Sequence, residues 1–257
     1  MKSAGTPRSW DRLTPASLYG PARRRWTPGA AGIAAGNHIA LTFDDGPDPV
    51  STPRFLDVLQ QAEVRATFFM LGSRVEAHPG VVRAVADAGH EIAVHGWSHR
   101  AVPRLDSKAL TEDLSRAVEA VWNLSGTQPA WYRPPFGVLT RHSVMAAEAA
   151  DLTPMLWSAW GREWRRSATH AQVRRTVARR ARPGGTVLLH DTDEYARPGC
   201  WRATLAATRS LLREWGEAGI EVGTVSEHMP PDPRAHRSPR QPANRSSMCV
   251  VPSRPER

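Results

Sequence analysis

Two adjacent carboxylates, Asp44 and Asp45 in TFDDGPDP, precede two histidines four residues apart, His95 and His99 in HGWSH. Two imidazoles and one carboxylate supply three protein ligands to a divalent ion and leave a fourth position for water, which is the open arrangement of a catalytic metal site. A spacing of four is about one helical turn, so it predicts both rings on one side of such a turn. In the His-Glu-x-x-His arrangement the base lies between the histidines. Here Gly96, Trp97 and Ser98 fill that interval, so the base must come from elsewhere, and Asp44 or Asp45 is available. Asp-Asp-Gly-Pro by itself also describes a turn, and a lone histidine pair is weak. Only their combination points to metal-dependent hydrolysis.

Seven short runs rich in β-branched and apolar residues predict strands at 38–43, 66–71, 91–95, 130–133, 154–158, 186–190 and 220–225. Helical patterns fall between them at 53–61, 80–88, 110–124, 141–150, 171–181 and 201–218. In the first of these, Phe55, Val58, Leu59 and Ala62 recur on one face, and Pro53 suits the first turn. Gly89 and Gly126 are placed to end the second and third. Regular β-α alternation predicts a parallel sheet covered by helices, open or closed into a barrel. Asp44 and Asp45 then follow the first strand, His95 and His99 the third, while Arg133 ends the fourth and His190 the sixth. Carboxyl ends of parallel strands share one face, so all these side chains are expected there.

A chain of 257 residues with 40% hydrophobic content can bury one core, and one catalytic domain is expected. Its formal charge of +9 is unevenly spread. Residues 1–30 hold six basic and one acidic residue, 229–257 six and two, and 31–228 hold 22 of each. Nucleic acid is not expected as a partner, because that requires Lys and Arg on a folded face. The division expected is a basic extension at 1–36, a catalytic domain at 37–228 and a Pro/Arg-rich tail at 229–257, with both ends disordered for want of apolar residues. Cys200 and Cys249 lack metal spacing and are assigned no role. The N-terminal stretch has no signal-peptide core, and nowhere do ~18 consecutive apolar residues occur. A soluble, cytoplasmic monomer without a membrane partner is therefore expected, with export through an upstream signal left open.

With these motifs in hand, residues 38–228 resemble the polysaccharide deacetylases of carbohydrate esterase family four, the nodulation-factor deacetylase homology domain. TFDDGPDP is similar to the family's first motif, HGWSH to its second, RPPFG at 133–137 to its third, and Leu188 to His190 within LLHD to its fifth. The runs ATFFMLG and AGHEIAVHG are similar to family sequences as well. The resemblance implies an α/β fold, an irregular (β/α) barrel with about seven parallel strands, of glycoside hydrolase/deacetylase type. It implies that Asp45, His95 and His99 bind one divalent ion, zinc first, with cobalt, nickel or manganese as alternatives. Asp44 would be the general base and Arg133 its partner, keeping it ionised. The backbone N–H of Phe136 would help hold the oxyanion, His190 would protonate the leaving amine, and Leu188 would line the acetyl pocket. The activity implied is removal of N-acetyl groups from amino-sugar residues of chitin, peptidoglycan or a small glycoside, so the partner is an N-acetylated carbohydrate.

One position departs from the pattern. The fourth family motif usually ends in Asp-Trp, its Asp orienting the acid histidine, whereas LWSAWGREW offers Glu163 and Trp164. Glu163 is expected to take that role with the backbone adjusted; otherwise it is a surface carboxylate paired with Arg162, Arg165 or Arg166. Trp97, Trp160 and Trp164 are either flat walls for a sugar ring or packing residues. For Asp48 and Asp191, turn or hydrogen-bonding roles suffice. Three other functions compete: a same-fold hydrolase of other amides or O-acetyl esters, a catalytically silent sugar- or metal-binding domain, and an anionic-polymer binder acting through its basic tails.

Overall fold

The structure is a computed structural model that describes residues 29–165 and 168–229. Cys249, Arg166, the tail from 230 and the extension up to 28 lie outside the described residues. Among the described residues, eight strands form one parallel sheet: β1 (His38–Asp44), β2 (Thr67–Met70), β3 (Glu91–Val94), β4 (Trp131–Tyr132), β5 (Thr153–Pro154), β6 (Ala159–Trp160), β7 (Thr186–His190) and β8 (Glu221–Gly223). Their order is β5-β4-β3-β2-β1-β7-β6, with β8 paired to the first residues of β1. The predicted fifth run therefore divides in two, its ends pairing with β4 on one side and β7 on the other.

That division dictates the shape. The outermost strands, β5 and β6, are joined by only residues 155–158, which span at most ~18 Å fully extended. Seven flat strands would place those edges ~29 Å apart. The sheet must therefore curl, and the covalent passage closes it where a ladder would close a regular barrel. Within the passage Met155 N–H donates to Tyr132 O at 2.8 Å, and Leu156 N–H donates to Ala30 O at 2.8 Å. Ala30 and Ala31 are buried, so residues 29–34, expected in the extension, belong to the fold and help fill the closure.

Among the described residues, eight helices cover the outside: α1 (Thr52–Gln61), α2 (Gly72–Ala77), α3 (Pro79–Asp87), α4 (Ser107–Ser125), α5 (Arg141–Ala149), α6 (His170–Ala178), α7 (Trp201–Glu217) and α8 (Val225–His228). Asp106 caps α4 by accepting from Ala109 N–H, and Gly126 ends it at φ 68°. Side chains alternate along the strands. Ile39, Leu41 and Phe43 of β1, Phe68 and Met70 of β2, and Val187 and Leu189 of β7 pack outward against the helices, in one large cluster with Phe55, Leu59, Leu114 and Leu211. Ala40, Phe69, Ala93, Trp131 and Met155 fill the barrel interior. The same parity turns Thr42, Asp44, Leu188 and His190 inward.

Candidate active site

Asp44 ends β1 inside the barrel, where Arg133, one residue beyond β4, meets it. Arg133 Nη1 donates to Asp44 Oδ1 at 2.6 Å and to Thr42 Oγ1 at 2.8 Å, and Nη2 donates to Leu156 O at 2.9 Å. Its guanidinium lies 3.9 Å from the Phe69 ring centroid and is wholly buried. An unpartnered buried charge costs several kcal/mol, so each ion of this pair fixes the other in place.

Asp45 turns away from the strand with φ 76°, a region few non-glycine residues adopt. The turn continues through Gly46, where a Cβ would come 2.7 Å from both Asp191 carboxylate oxygens, so only glycine fits above that buried side chain. Asp45 is thereby aimed at the histidines: its Oδ1 lies 3.2 Å from His95 Nε2 and 3.4 Å from His99 Nε2. The histidines do not sit on a helical turn. β3 stops at Val94, and residues 95–99 bend through Gly96 at φ 96°, so a loop converges the rings.

Second contacts fix the ligand atoms. His95 Nδ1 is 2.7 Å from Arg133 O; a carbonyl only accepts, so Nδ1 donates and Nε2 is the nitrogen turned towards Asp45. His99 stacks on Tyr195 at 4.2 Å and packs against Phe136 at 4.4 Å. Burial pushes the His99 pKa down to about 4, with Asp45 opposing and His95 reinforcing, so its ring is neutral around pH 7. Burial alone would raise the Asp45 carboxyl, but His190, His95 and His99 outweigh it and hold that group well below the usual carboxylate range.

Asp45 Oδ1 is buried without a hydrogen bond. One carboxylate oxygen and two imidazole nitrogens, all within 4.8 Å of one another, are the donor set of a divalent cation with borderline softness, and these residues fit one.

His190, at the end of β7, faces this cluster with Nε2 3.7 Å from Asp45 Oδ2. Its Nδ1 donates to Glu163 Oε1 at 2.8 Å, and its backbone N–H donates to the same oxygen at 2.7 Å. Burial lowers the imidazole pKa, but the Asp45 charge and the Glu163 hydrogen bond prevail and raise it to about 10. Glu163 is 1% exposed, so it is not a surface carboxylate paired with Arg162 or Arg165. Its extra methylene is accommodated locally. Oε2 lies where a Cβ on Gly161 would come within 2.5 Å, and Arg162 takes φ 57°.

These groups open into one pocket of about 570 Å³. Leu188 and Phe136 line it, Phe136 at φ 61° with an exposed ring. Trp164 stands edge-on to His190 at 5.5 Å, and Trp160 also faces the pocket. Trp97, expected as a possible sugar-binding wall, is corrected to a packing residue. Its backbone N–H donates to Asp113 Oδ2 at 2.7 Å. Its ring occupies the space left by Gly72 at the start of α2 and carries the Arg116 guanidinium at 3.4 Å, away from the pocket.

Two walls went unread in the sequence. Tyr195 lies in the loop after β7, inside no motif. Trp157 is held where a Cβ on Gly137 would come within 2.3 Å of it, which is why RPPFG ends in glycine. Asp48 has the turn role expected of it, accepting from Val50 and Ser51 N–H and pairing with Arg74. Asp191 accepts from the Thr52 hydroxyl, and burial pushes its carboxyl up to about 7. Cys200 is a free, buried thiol at the pocket's edge.

The chain is similar to known proteins in sequence and in fold. The polysaccharide deacetylase family profile matches residues 32–155. The chain is 38% identical over 196 residues to the chitooligosaccharide deacetylase of Rhizobium leguminosarum bv. trifolii, covering 74% of this chain and 91% of that one. It is also similar to a crystallised peptidoglycan N-acetylglucosamine deacetylase in complex with 4-naphthalen-1-yl-N-oxidanyl-benzamide. That match has TM-score 0.72 and 27% identity, covering 79% of this chain and 95% of that one. A family 4 acetyl xylan esterase from Clostridium thermocellum, in complex with a cobalt ion, aligns at TM-score 0.68 and 29% identity over 74% of this chain and 89% of that one. The chain spans only 38% of the length of the peptidoglycan-N-acetylglucosamine deacetylase PgdA of Listeria monocytogenes, which it matches at 31% identity.

Proposed function

Because the chain belongs to the polysaccharide deacetylase family, we propose that it hydrolyses N-acetyl groups from amino-sugar residues of a poly- or oligosaccharide, with one divalent ion, zinc first, held by Asp45, His95 and His99. The observation that carries this reading is the opposition of two fixed pairs, Asp44 with Arg133 and His190 with Glu163, across Asp45. Bound there, the ion supplies Lewis acidity that brings the pKa of water from about 15.7 towards 7.

Asp44 is the base. Arg133 occupies its Oδ1, leaving Oδ2, 4.0 Å from His95 Nε2, to accept a proton from the attacking water. The backbone N–H of Phe136 serves as a donor to the developing oxyanion, and Leu188 receives the acetyl methyl. His190 gives its Nε2 proton to the departing amine, which is too basic to leave as an anion. Glu163 holds the opposite nitrogen, so the ring cannot turn away during the transfer. Trp164 and Trp160 offer flat surfaces to the sugar. Release of acetate from N-acetylglucosamine oligomers and peptidoglycan fragments, with O-acetyl xylan alongside, tests the reading. The amides should be turned over faster than the ester, and acetate from the ester alone would contradict it.

Glu163→Gln should lower kcat about tenfold while leaving metal content unchanged, as expected for a group that acts through His190. Removing the Glu163 charge disfavours the imidazolium. The alkaline limb of the kcat profile should therefore move to lower pH. An unchanged rate and profile would assign the orienting role elsewhere.

A further inference from the structure

The balanced charge of residues 31–228 conceals a local excess. Residues 160–182 contain eight arginines and a single acid, Glu163. That acid turns inward to His190, leaving Arg162 and Arg165 beside it outside. Arg174 pairs with Glu214 at 2.7 Å, and Arg182 donates to the carbonyls of Ala178 and Ala181. The guanidinium groups of Arg162, Arg165 and Arg180 have neither a hydrogen bond nor an acidic partner among the described residues.

These three cations surround a recess of about 230 Å³ that contains no acidic residue. Arg162 and Arg165 also line the active-site pocket, so recess and pocket adjoin. Arg162 and Arg180 are both held over the Trp160 ring, at 4.8 and 5.1 Å, and that ring faces the pocket. Burial and the neighbouring charges of Arg180 and Arg165 together lower the pKa of Arg162. Three like charges gathered round one concavity repel each other unless an anion joins them, and guanidinium groups match carboxylate and phosphate oxygens.

We propose that this recess is a subsite for an anionic substituent, carboxylate or phosphate, carried by the N-acetylated glycan next to the sugar being deacetylated. The inference rests on the deacetylase reading of the adjoining pocket and adds that charged glycans are its preferred substrates. Its small size suits one substituent, whereas a nucleic acid needs a continuous basic track.

The test uses the full chain and three N-acetylated oligosaccharides of equal length: one neutral, one bearing carboxylates, one bearing phosphates. Wild-type protein should show a kcat/KM for at least one charged substrate roughly tenfold above the neutral one, expressed through KM. The preferred arm identifies the anion. Arg180→Gln with Arg165→Gln should collapse that ratio, and in wild-type protein the preference should shrink between about 0.05 and about 0.5 M salt. The salt series needs no variant, so it decides the matter even if the double variant misfolds. Acetate release with no charge preference overturns the subsite and leaves the deacetylase reading standing. Acetate release from none of the three overturns that reading, and calorimetric binding of the same oligosaccharides then judges the recess. Tighter binding of the charged ones, lost in the variant, supports it, and equal binding overturns it. A variant that loses oligonucleotide binding while its glycan ratio stays fixed also overturns it.

Discussion

Asp44→Asn should reduce kcat by roughly a thousandfold while the protein still binds its metal. Asn preserves the shape of the side chain, and its amide oxygen can still accept the 2.6 Å hydrogen bond from Arg133 Nη1. What it loses is the capacity of the second oxygen to take a proton. It also leaves the Arg133 cation buried without a counter-charge, so some loss of stability should accompany the loss of rate. The two effects separate readily. Metal content and the melting transition report on the fold, and single-turnover acetate release reports on the base. If the variant retained more than about a tenth of the wild-type rate with its ion bound, proton removal by Asp44 would be excluded.

His190→Ala should also be severe, but its severity should depend on the leaving group. An amine departs only with a proton, so loss of the imidazolium should cost roughly a hundredfold to a thousandfold on an N-acetyl substrate. An aryl acetate expels a phenolate that needs no proton, and there the loss should be less than about tenfold. This contrast belongs to a general acid; a ring that only shaped the pocket would give similar losses on both substrates. Equal losses would move the proton source away from His190, and with it the purpose of the 2.8 Å contact to Glu163.

Most of the chemistry was legible because it lies in short, ordered motifs at strand ends. Asp44 and His190 could be read from their places at strand ends, and Leu188 from the family resemblance; the parity of β1 and β7 turns all three into the barrel. Glu163 was legible as a candidate but not as buried, since nothing local in GREWRR distinguishes an inward acid from one paired with its arginine neighbours. Other features needed three-dimensional information. The split of the fifth strand run depends on β4 and β7 being close enough to pair with its two ends. The choice between wall and packing for Trp97 stayed open because its place between His95 and His99 says nothing about its direction, which Gly72 and Asp113 decide. Tyr195 reaches the pocket from a loop outside every motif, and Trp157 from the LWSAWGREW segment, where the sequence singles out only Trp160, Glu163 and Trp164. α2 and α8, of six and four residues, are too short to display a helical period. Residues 29–34 group with an extension that reads as too poor in apolar residues to fold, yet they pack into the barrel closure.

The same partition of charge that made the domain look neutral hid the arginine recess. An even count over a whole segment cannot reveal that one acid has turned inward and left three cations together. The expectation that the basic character belongs to the ends holds for the net charge and fails for its distribution.

The central claim is that Asp45, His95 and His99 converge on one catalytic ion. Metal content and acetate release, measured side by side on wild-type protein, chelator-treated protein and the His95→Ala with His99→Ala variant, test it most directly. Wild-type protein should hold about one divalent ion per chain. Activity should vanish on chelation and return on adding zinc or cobalt, and the variant should hold neither ion nor activity. A homogeneous preparation that released acetate at full rate without a bound ion, or a variant that kept its ion after losing both imidazoles, would contradict it.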